Sequence, residues 1–198
     1  LNRKEFEKVI DWPLGEKNAV VTFHPVTLEE NTSKEQFEAL LEALDDFPNL
    51  HVIFTKPNAD TGGRIITQLI EQYVTRHPGR TCAFTSLGQL QYLSALNLVD
   101  VVLGNSSSGL IEAPSFQVPT INIGDRQRGR IKADSVIDSD PTKASIKSAL
   151  EKAFSKEFRD MIQYVENPYG RGGASEEIKE VLKFWTLDNV IKKSFYNL

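Results

Sequence analysis

The chain has 198 residues, of which 40% are hydrophobic and 25% charged, values that are ordinary for a soluble domain with a good-sized core. Acidic residues outnumber basic ones by 27 to 23, and the net charge of −4 excludes a general nucleic-acid binder, which needs a basic face. No apolar run approaches the roughly 20 residues of a membrane span, and the single cysteine, Cys82, excludes an internal disulfide. We therefore expect a cytoplasmic protein that binds neither nucleic acid nor membrane.

Hydrophobic patterning predicts strands and helices in alternation. The predicted strands lie at 18–23, 50–55, 81–86, 99–104, 118–123 and 134–138. The predicted helices between and after them lie at 33–47, 62–77, 88–98, from about residue 107, and at 141–154. Beyond a break at 168–173, we expect a helix around 178–185 and a helical tail at about 186–198.

This order predicts an α/β fold with a doubly wound parallel sheet, because the strands are continuously apolar and separated by helices. We expect one domain over residues 1–198. Ligands of such folds bind beyond the carboxyl ends of the strands. Five segments at those ends are polar or rich in glycine, namely "FHPVT", "TKPNADTGGR", "TSLG", "GNSSSG" and "GDRQRGR".

The segment "GNSSSG" at 104–109 has the chemistry of an anion site. Backbone N–H groups at a helix start and serine hydroxyls are donors, and Gly104 and Gly109 would let a ligand approach the backbone. An ordinary serine helix cap is the alternative. Glu112, about one turn further on, could accept hydrogen bonds from a ribose diol, or it could be a solvated surface carboxylate.

The other strand ends carry weaker signals. His24 follows the first strand and could donate to a phosphate or transfer a proton, or it could bond a backbone carbonyl. Arg126, in a loop with Arg128 and Arg130, could neutralise a diphosphate or simply be solvated. Asn58 lies in a turn-forming segment. No set of His, Cys and carboxylates has metal-ligand spacing, so we expect no metal.

Four segments together resemble the hydrolysing UDP-N-acetylglucosamine 2-epimerases, and they are "VTFHPVT", "PNADTGGR", "GNSSSGLIEAPSFQVPTINIGDRQRGR" and "NPYGRGGAS". The non-hydrolysing branch carries His-Arg followed by Glu-Asn where this chain has His24-Pro25. Family members have two Rossmann-like domains in the glycosyltransferase B arrangement, with the sugar nucleotide between them. The resemblance covers only their carboxyl-terminal half, which implies a missing amino-terminal domain and, for the whole enzyme, a homo-oligomer.

The resemblance also implies roles for individual residues. Ser106 and Ser107 would bind the diphosphate, Glu112 the ribose hydroxyls, and the backbone at Leu87 the uracil edge. Arg126 would reach the phosphate or the sugar, and Asn58 would lie near the uridine or phosphate side. His24 would be the catalytic residue of this half, close to the departing UDP. Arg64 matches a position that lies at a feedback site in some relatives.

The reaction implied needs no cofactor. UDP is eliminated across the C1–C2 bond of the sugar, and water then adds with inversion at C2 to release N-acetylmannosamine, a precursor of sialic acid and related sugars. The family's essential carboxylates lie largely in the other half, so we expect this chain alone to be inactive. Two alternatives remain open, a UDP-sugar donor domain of a glycosyltransferase and a nucleotide-binding module without catalysis.

Overall fold

The structure, a computed structural model, describes residues 1–26, 32–58 and 61–185. In these residues the chain forms one six-stranded sheet in which all neighbouring strands are parallel, in the order β3-β2-β1-β4-β5-β6. The strands are β1 Lys17–Thr22, β2 Leu50–Thr55, β3 Thr81–Phe84, β4 Val101–Gly104, β5 Thr120–Ile123 and β6 Val136–Ser139. The predicted doubly wound parallel sheet is confirmed.

Helices connect the successive strands from β1 to β5, a loop without a helix connects β5 to β6, and helices cover the sheet. In the same described residues they are α1 Arg3–Ile10, α2 Thr32–Asp45, α3 Thr61–Arg76, α4 Gly88–Leu96, α5 Ser108–Ile111, α6 Lys143–Phe154, α7 Lys156–Ile162 and α8 Ala174–Phe184. A 3-10 turn at Ala113–Phe116 follows α5. The strands and helices predicted up to residue 154 are present, with ends displaced by about two residues or fewer, which is the usual uncertainty of such boundaries, and α8 begins four residues before the predicted 178.

The apolar strands are buried on both faces, as their continuous hydrophobic runs predict. Successive residues of β1 alternate between two clusters, with Ala19 and Val21 in one and Val20 in the other. The first cluster packs against α2, α3, α6 and α7, and the second against α1 and α4. The core is therefore two layers that hold the sheet between them and fix the positions of its strand ends.

Two helices were not predicted. Helix α1 begins at a capping box, in which the Asn2 side chain accepts from the Glu5 N–H and the Glu5 carboxylate accepts from the Asn2 N–H. Helix α7 begins at Ser155, whose hydroxyl accepts from the N–H of Phe158. The spacing Asn2–Glu5 and the serine before an apolar i, i+4 pair, Phe158 and Ile162, are the sequence signals that could have indicated them.

The chain divides into a first unit, Leu1–Pro168, which contains the sheet, and a second unit that begins at Tyr169. In the second unit, α8 carries an apolar stripe whose members Ile178, Val181 and Leu182 are exposed. The predicted tail at 186–198 lies outside the described residues, and the expectation of one domain over 1–198 stays a prediction.

Candidate functional site

The strand register brings four carboxyl ends to the same level. Thr22 at the end of β1 pairs with Thr55 of β2 and with Gly104 of β4, and Thr55 in turn pairs with Phe84 of β3. The Thr22 and Thr55 hydroxyls lie 2.5 Å apart across the ladder. The loops that leave these strands therefore start from one edge and can surround a common ligand.

A cavity of 430 Å³ opens at this edge. It is lined by four groups of residues, one from each loop, and these are Thr22 and His24; Thr55 and Lys56; residues 85–89 with Tyr92 and Leu93 of α4; and Ser106, Ser108 and Glu112. Four of the predicted site residues, His24, Leu87, Ser106 and Glu112, therefore meet in one place although 88 positions separate the first from the last (112 − 24). The volume is in the range of small-molecule pockets.

The other predicted residues do not line this cavity. Ser107 is half-buried at the start of α5, where its hydroxyl makes no capping hydrogen bond. Arg126 is exposed and donates from its guanidinium Nη1 to the backbone oxygen of Asn105, 2.9 Å away. Asn58 is exposed beyond β2, and Arg64 is exposed in the first turn of α3. Their roles in binding stay predictions.

Hydroxyl groups form a chain along one wall of the cavity. The Tyr92 hydroxyl lies 2.5 Å from Ser108 Oγ, which lies 3.2 Å from Ser106 Oγ. Burial raises the pKa of Tyr92, and the negative charge of Glu112 raises it further against the lowering effect of the Ser108 hydrogen bond. Tyr92 therefore keeps its proton, and because hydroxyls rotate to donate or accept, the chain can direct donors at an anion.

Glu112, the residue that ends α5, is half-buried and lines the cavity. Burial raises the pKa of Glu112, and no hydrogen bond or ion pair with any residue in the described part of the chain opposes that rise. A half-buried carboxylate without a partner is unfavourable for the free protein. A ligand that donates two hydrogen bonds to it would remove that penalty.

Gly104 and Gly109 lie where an added Cβ would meet other atoms of the protein. A Cβ on Gly104 would meet the backbone oxygen of Thr22, and a Cβ on Gly109 would lie 2.7 Å from the Thr120 Cγ2. Gly104 also has φ of +131°, a region that other residues avoid. Contacts within the protein therefore favour glycine at both positions, and the expectation that they let a ligand approach the backbone stays a prediction.

Tyr92, Ser108 and Lys56 are among the lining residues to which the sequence alone assigned no individual role. Tyr92 and Ser108 form the hydroxyl chain, and Lys56 is the first residue beyond β2, with its Nζ 2.7 Å from Glu71 Oε1. The position of Lys56 directly after a strand was a usable signal, by the same rule that selects His24. For Tyr92 the sequence carries no such signal, since its place depends on the rotation of α4.

Other concavities have the wrong charge for an anion. A groove of 970 Å³ between α2 and α3 is lined by Glu38, Glu42, Asp45 and Glu71 against a single arginine, Arg76. A smaller cavity of 340 Å³ beyond β5 and β6 includes three aspartates and no basic side chain among its described lining residues. A phosphate group would be repelled from both, whereas the cavity at the ends of β1 to β4 is lined by Lys56 and His24 as well as Glu112.

No helix in residues 1–26, 32–58 and 61–185 is long and apolar enough to cross a membrane. The same residues contain no group of three or more His, Cys, Asp or Glu side chains placed to bind a metal ion. The candidate cavity is lined by hydroxyl, imidazole, carboxylate and ammonium groups.

The sequence profile of the family described as UDP-N-acetylglucosamine 2-epimerase matches residues 2–183. The chain belongs to this family. It is 37% identical over its whole length to a GDP/UDP-N,N'-diacetylbacillosamine 2-epimerase (hydrolyzing) of Campylobacter jejuni, covering 51% of that protein. It is 38% identical to a UDP-N,N'-diacetylbacillosamine 2-epimerase (hydrolyzing) of Legionella pneumophila, over 91% of this chain and 46% of the relative. The chain thus spans about half the length of the curated relatives it matches.

Solved structures show the same fold at low sequence identity. A UDP-GlcNAc 2-epimerase from Neisseria meningitidis, bound to UDP-GlcNAc, superposes with a TM-score of 0.73 at 17% identity, over 91% of this chain and 48% of that one. The carboxyl-terminal domain of a group 1 glycosyl transferase from Francisella tularensis superposes with a TM-score of 0.54 at 15% identity, over 94% of both chains. The fold is therefore shared by epimerases and glycosyl transferases. The match to the family profile, and not the fold, assigns this chain to the epimerase family.

Proposed function

We propose that this chain is the nucleotide-binding half of a hydrolysing 2-epimerase that converts UDP-N-acetylglucosamine to N-acetylmannosamine and UDP. The observation that carries the proposal is the meeting of His24, Leu87, Ser106 and Glu112 around one cavity, in a member of the epimerase family. Donors for phosphate, a carboxylate for a diol and an imidazole are the groups that a UDP-sugar requires.

The roles are those that the family resemblance implies, and the chemistry of the groups is compatible with them. Glu112 accepts from the ribose hydroxyls, and Ser106 with Ser107 donates to the diphosphate. Helix α5 has only four residues, so its dipole adds little and the hydroxyls and N–H groups supply most of the attraction. The backbone at Leu87 contacts the uracil, while Arg126 and Asn58 approach the ligand from the rim.

The reaction proceeds in two steps. A base removes the proton from C2 of the sugar, the C1–O bond breaks, and UDP leaves with the bonding pair as a C1=C2 double bond forms. Water then adds its hydroxyl to C1, and a proton is delivered to C2 on the opposite face. His24, beside the serines, supports the negative charge of the departing diphosphate or protonates it, and the carboxylates that act on C2 belong to the other half of the enzyme.

A second sugar substrate is favoured by the relatives. Two proteins that are 37% and 38% identical to this chain are named for N,N'-diacetylbacillosamine, a sugar with an acetamido group at C4 as well as at C2. The chemistry at C1 and C2 is the same for both sugars. The two sugars differ at ring positions away from C1 and C2, so discrimination between them depends on contacts to those other positions.

Product analysis tests the reaction. In heavy water, the whole enzyme is expected to release the 2-epimer of the free sugar with deuterium at C2, because the proton at that carbon comes from solvent. Both UDP-N-acetylglucosamine and UDP-N,N'-diacetylbacillosamine are supplied in parallel, and mass spectrometry with NMR identifies the product. Product without deuterium, or UDP release that requires a sugar acceptor, would favour a glycosyl transferase and contradict the proposal.

The 198-residue chain by itself is expected to bind UDP weakly without turning over the UDP-sugar. The proposed phosphate and ribose groups lie within the first unit, which has its own core, whereas only one wall of the substrate cleft is present. Calorimetry with UDP and a coupled assay for UDP release are run on one preparation. Turnover at the rate of the whole enzyme would show that the groups acting on C2 lie in this chain.

A further inference from the structure

Asn105 is a buried polar residue at this edge of the sheet, and both polar groups of its side chain are hydrogen-bonded. Its exposed fraction is 1%. The oxygen and the nitrogen of its side-chain amide both form hydrogen bonds with the backbone of His24. The Oδ1 atom accepts from the His24 N–H at 2.7 Å, and the Nδ2 group donates to the His24 carbonyl at 2.8 Å. One side chain of the β4 loop thus holds the residue that follows β1, 81 positions away in sequence.

The backbone of Asn105 extends this contact to a third loop. Its N–H donates to the Thr22 carbonyl at 3.2 Å. Its carbonyl accepts from Arg126 Nη1 at 2.9 Å and from the buried Gln127 Nε2 at 2.8 Å. Asn105 therefore joins the ends of β1 and β4 to the loop after β5, and the next residue along the chain is Ser106, which lines the cavity.

We propose that Asn105 is a positioning residue that sets the place of His24 and Arg126 relative to the serines of the cavity. This inference rests on the proposed UDP site for its functional consequence. Asn105 contacts no substrate in this account, because both polar ends of its side chain are already bonded to His24. Only a planar group with an acceptor and a donor side by side satisfies the N–H and the carbonyl of one residue together, and asparagine is the shortest side chain that provides it.

The Asn105→Asp variant tests this requirement with almost no change of shape. An ionised carboxylate would place a second acceptor against the His24 carbonyl, which is repulsive and is buried away from water. A protonated carboxylic acid would restore the donor. We therefore expect the new carboxyl group to have a pKa well above the usual value of about 3.9. Its contribution to folding is complete below that usual value and is lost as the pH rises through the raised one.

The chain provides a matched control at the opposite end of the sheet. Asn18, also buried, accepts from the Gly15 N–H at 2.8 Å and donates to the Gly15 carbonyl at 3.1 Å. This is the same reciprocal pair of bonds, placed near the amino end of β1 and away from the cavity. The Asn18→Asp variant is expected to lose stability with rising pH in the same way, without a change in the folded protein's affinity for UDP.

The experiment compares wild type, Asn105→Asp and Asn18→Asp at about pH 8.5 and about pH 6, because a raised pKa makes the protonated carboxyl group more populated at the lower pH. Chemical denaturation fixes conditions under which each protein is fully folded. Calorimetry then measures UDP affinity, and NMR records the backbone amide and imidazole resonances of His24. Comparing each variant with wild type at the same pH removes the effect of titration of UDP itself. For Asn105→Asp we expect UDP to bind about tenfold more weakly at the higher pH, with most of the loss recovered at the lower one.

The outcomes separate three cases. Displaced His24 resonances and weakened UDP binding that recover together at the lower pH, in Asn105→Asp alone, support the positioning role. Unchanged His24 resonances and UDP affinity in a folded Asn105→Asp protein would overturn it and leave Asn105 as a stabilising residue like Asn18. If wild type fails to bind UDP, the proposed function fails, and the His24 resonances still decide whether Asn105 positions that residue.

Discussion

The Gly104→Ala variant is expected to lose about 4 kcal/mol or more of its free energy of unfolding, which is a large part of the stability of an ordinary domain. Gly104 has φ of +131°, and a Cβ there would overlap the backbone oxygen of Thr22 in the neighbouring strand. Backbone cannot move aside as a flexible side chain can. The two central strands would have to separate at the edge where the cavity opens.

Alanine substitutions at three other glycines measure the separate contributions to this loss of stability. Gly124 has φ of +74° with open space for a Cβ, so Gly124→Ala measures the cost of the backbone conformation alone, about 1–2 kcal/mol. Gly109 lacks the positive φ and its added Cβ would meet only the Thr120 side chain, so Gly109→Ala measures steric overlap with an atom that can shift. Gly79 has neither constraint, and Gly79→Ala is expected to change stability by less than about 1 kcal/mol.

Urea denaturation of the four variants checks the order of these effects. Gly104→Ala is expected to be far less stable than the other three, or to accumulate as insoluble protein while they remain soluble. A Gly104→Ala protein whose stability lay within about 1 kcal/mol of Gly124→Ala would contradict the close approach of the two strand ends. Such a result would also weaken the register that brings the loops of the site together.

The fold could be predicted because its signals are local. Parallel strands buried on both faces give continuous apolar runs, and the helices between them have an apolar face of the expected period. The errors at strand ends arise because burial extends beyond the hydrogen-bonded ladder. Val99 is buried although β4 begins at Val101, and Val118 is buried although β5 begins at Thr120. Apolar residues in the sequence indicate which positions are buried, but they do not indicate where the hydrogen bonds between neighbouring strands end.

The site could be predicted only in part. The order of the strands indicates which loops lie together, but the contacts of each residue depend on the direction of its side chain, which the sequence does not indicate. His24, Leu87, Ser106 and Glu112 follow from the rule that carboxyl ends of parallel strands share an edge. The amide of Asn105 stands in the same motif as Ser106, yet it binds the backbone of a distant residue. That choice depends on the separation between β1 and β4, which Gly104 makes small and which no spacing along the sequence reveals.

Replacing Glu112 with glutamine is expected to weaken UDP binding while the fold is kept. If the carboxylate accepts both ribose hydroxyls, its loss costs about 1–3 kcal/mol, or about 5- to 150-fold in affinity. Glu112→Gln retains one neutral acceptor and should lose less than Glu112→Ala, because a hydrogen bond to a charged acceptor is about twice as strong as one to a neutral acceptor. Calorimetry on the folded variants measures the difference.

The free energy of unfolding of Glu112→Gln is expected to increase or to stay the same, although its affinity for UDP decreases. Burial raises the pKa of Glu112, so the folded state disfavours the charged form. The stability that comes from the neutral form is present below the unfolded-state pKa and is lost as the pH rises through the raised one. At neutral pH the wild-type protein therefore lacks the stability that the neutral form of Glu112 contributes. Glutamine is neutral at every pH, so it avoids the cost of burying a charge at this position. The free energy of unfolding of Glu112→Gln at neutral pH should equal or exceed that of wild type.

The sign of the change in affinity decides between two roles for Glu112. UDP is an anion, so removing a nearby negative charge should strengthen its binding if Glu112 acts only through its field. A specific acceptor for the ribose hydroxyls predicts the reverse, and it also predicts that UDP affinity in wild type falls as the pH drops through the raised pKa of Glu112, a decrease that Glu112→Gln lacks. Glu157→Gln, at an exposed position in α7, changes the net charge equally and controls for long-range effects. Tighter or unchanged UDP binding by Glu112→Gln would remove this residue from the ribose site.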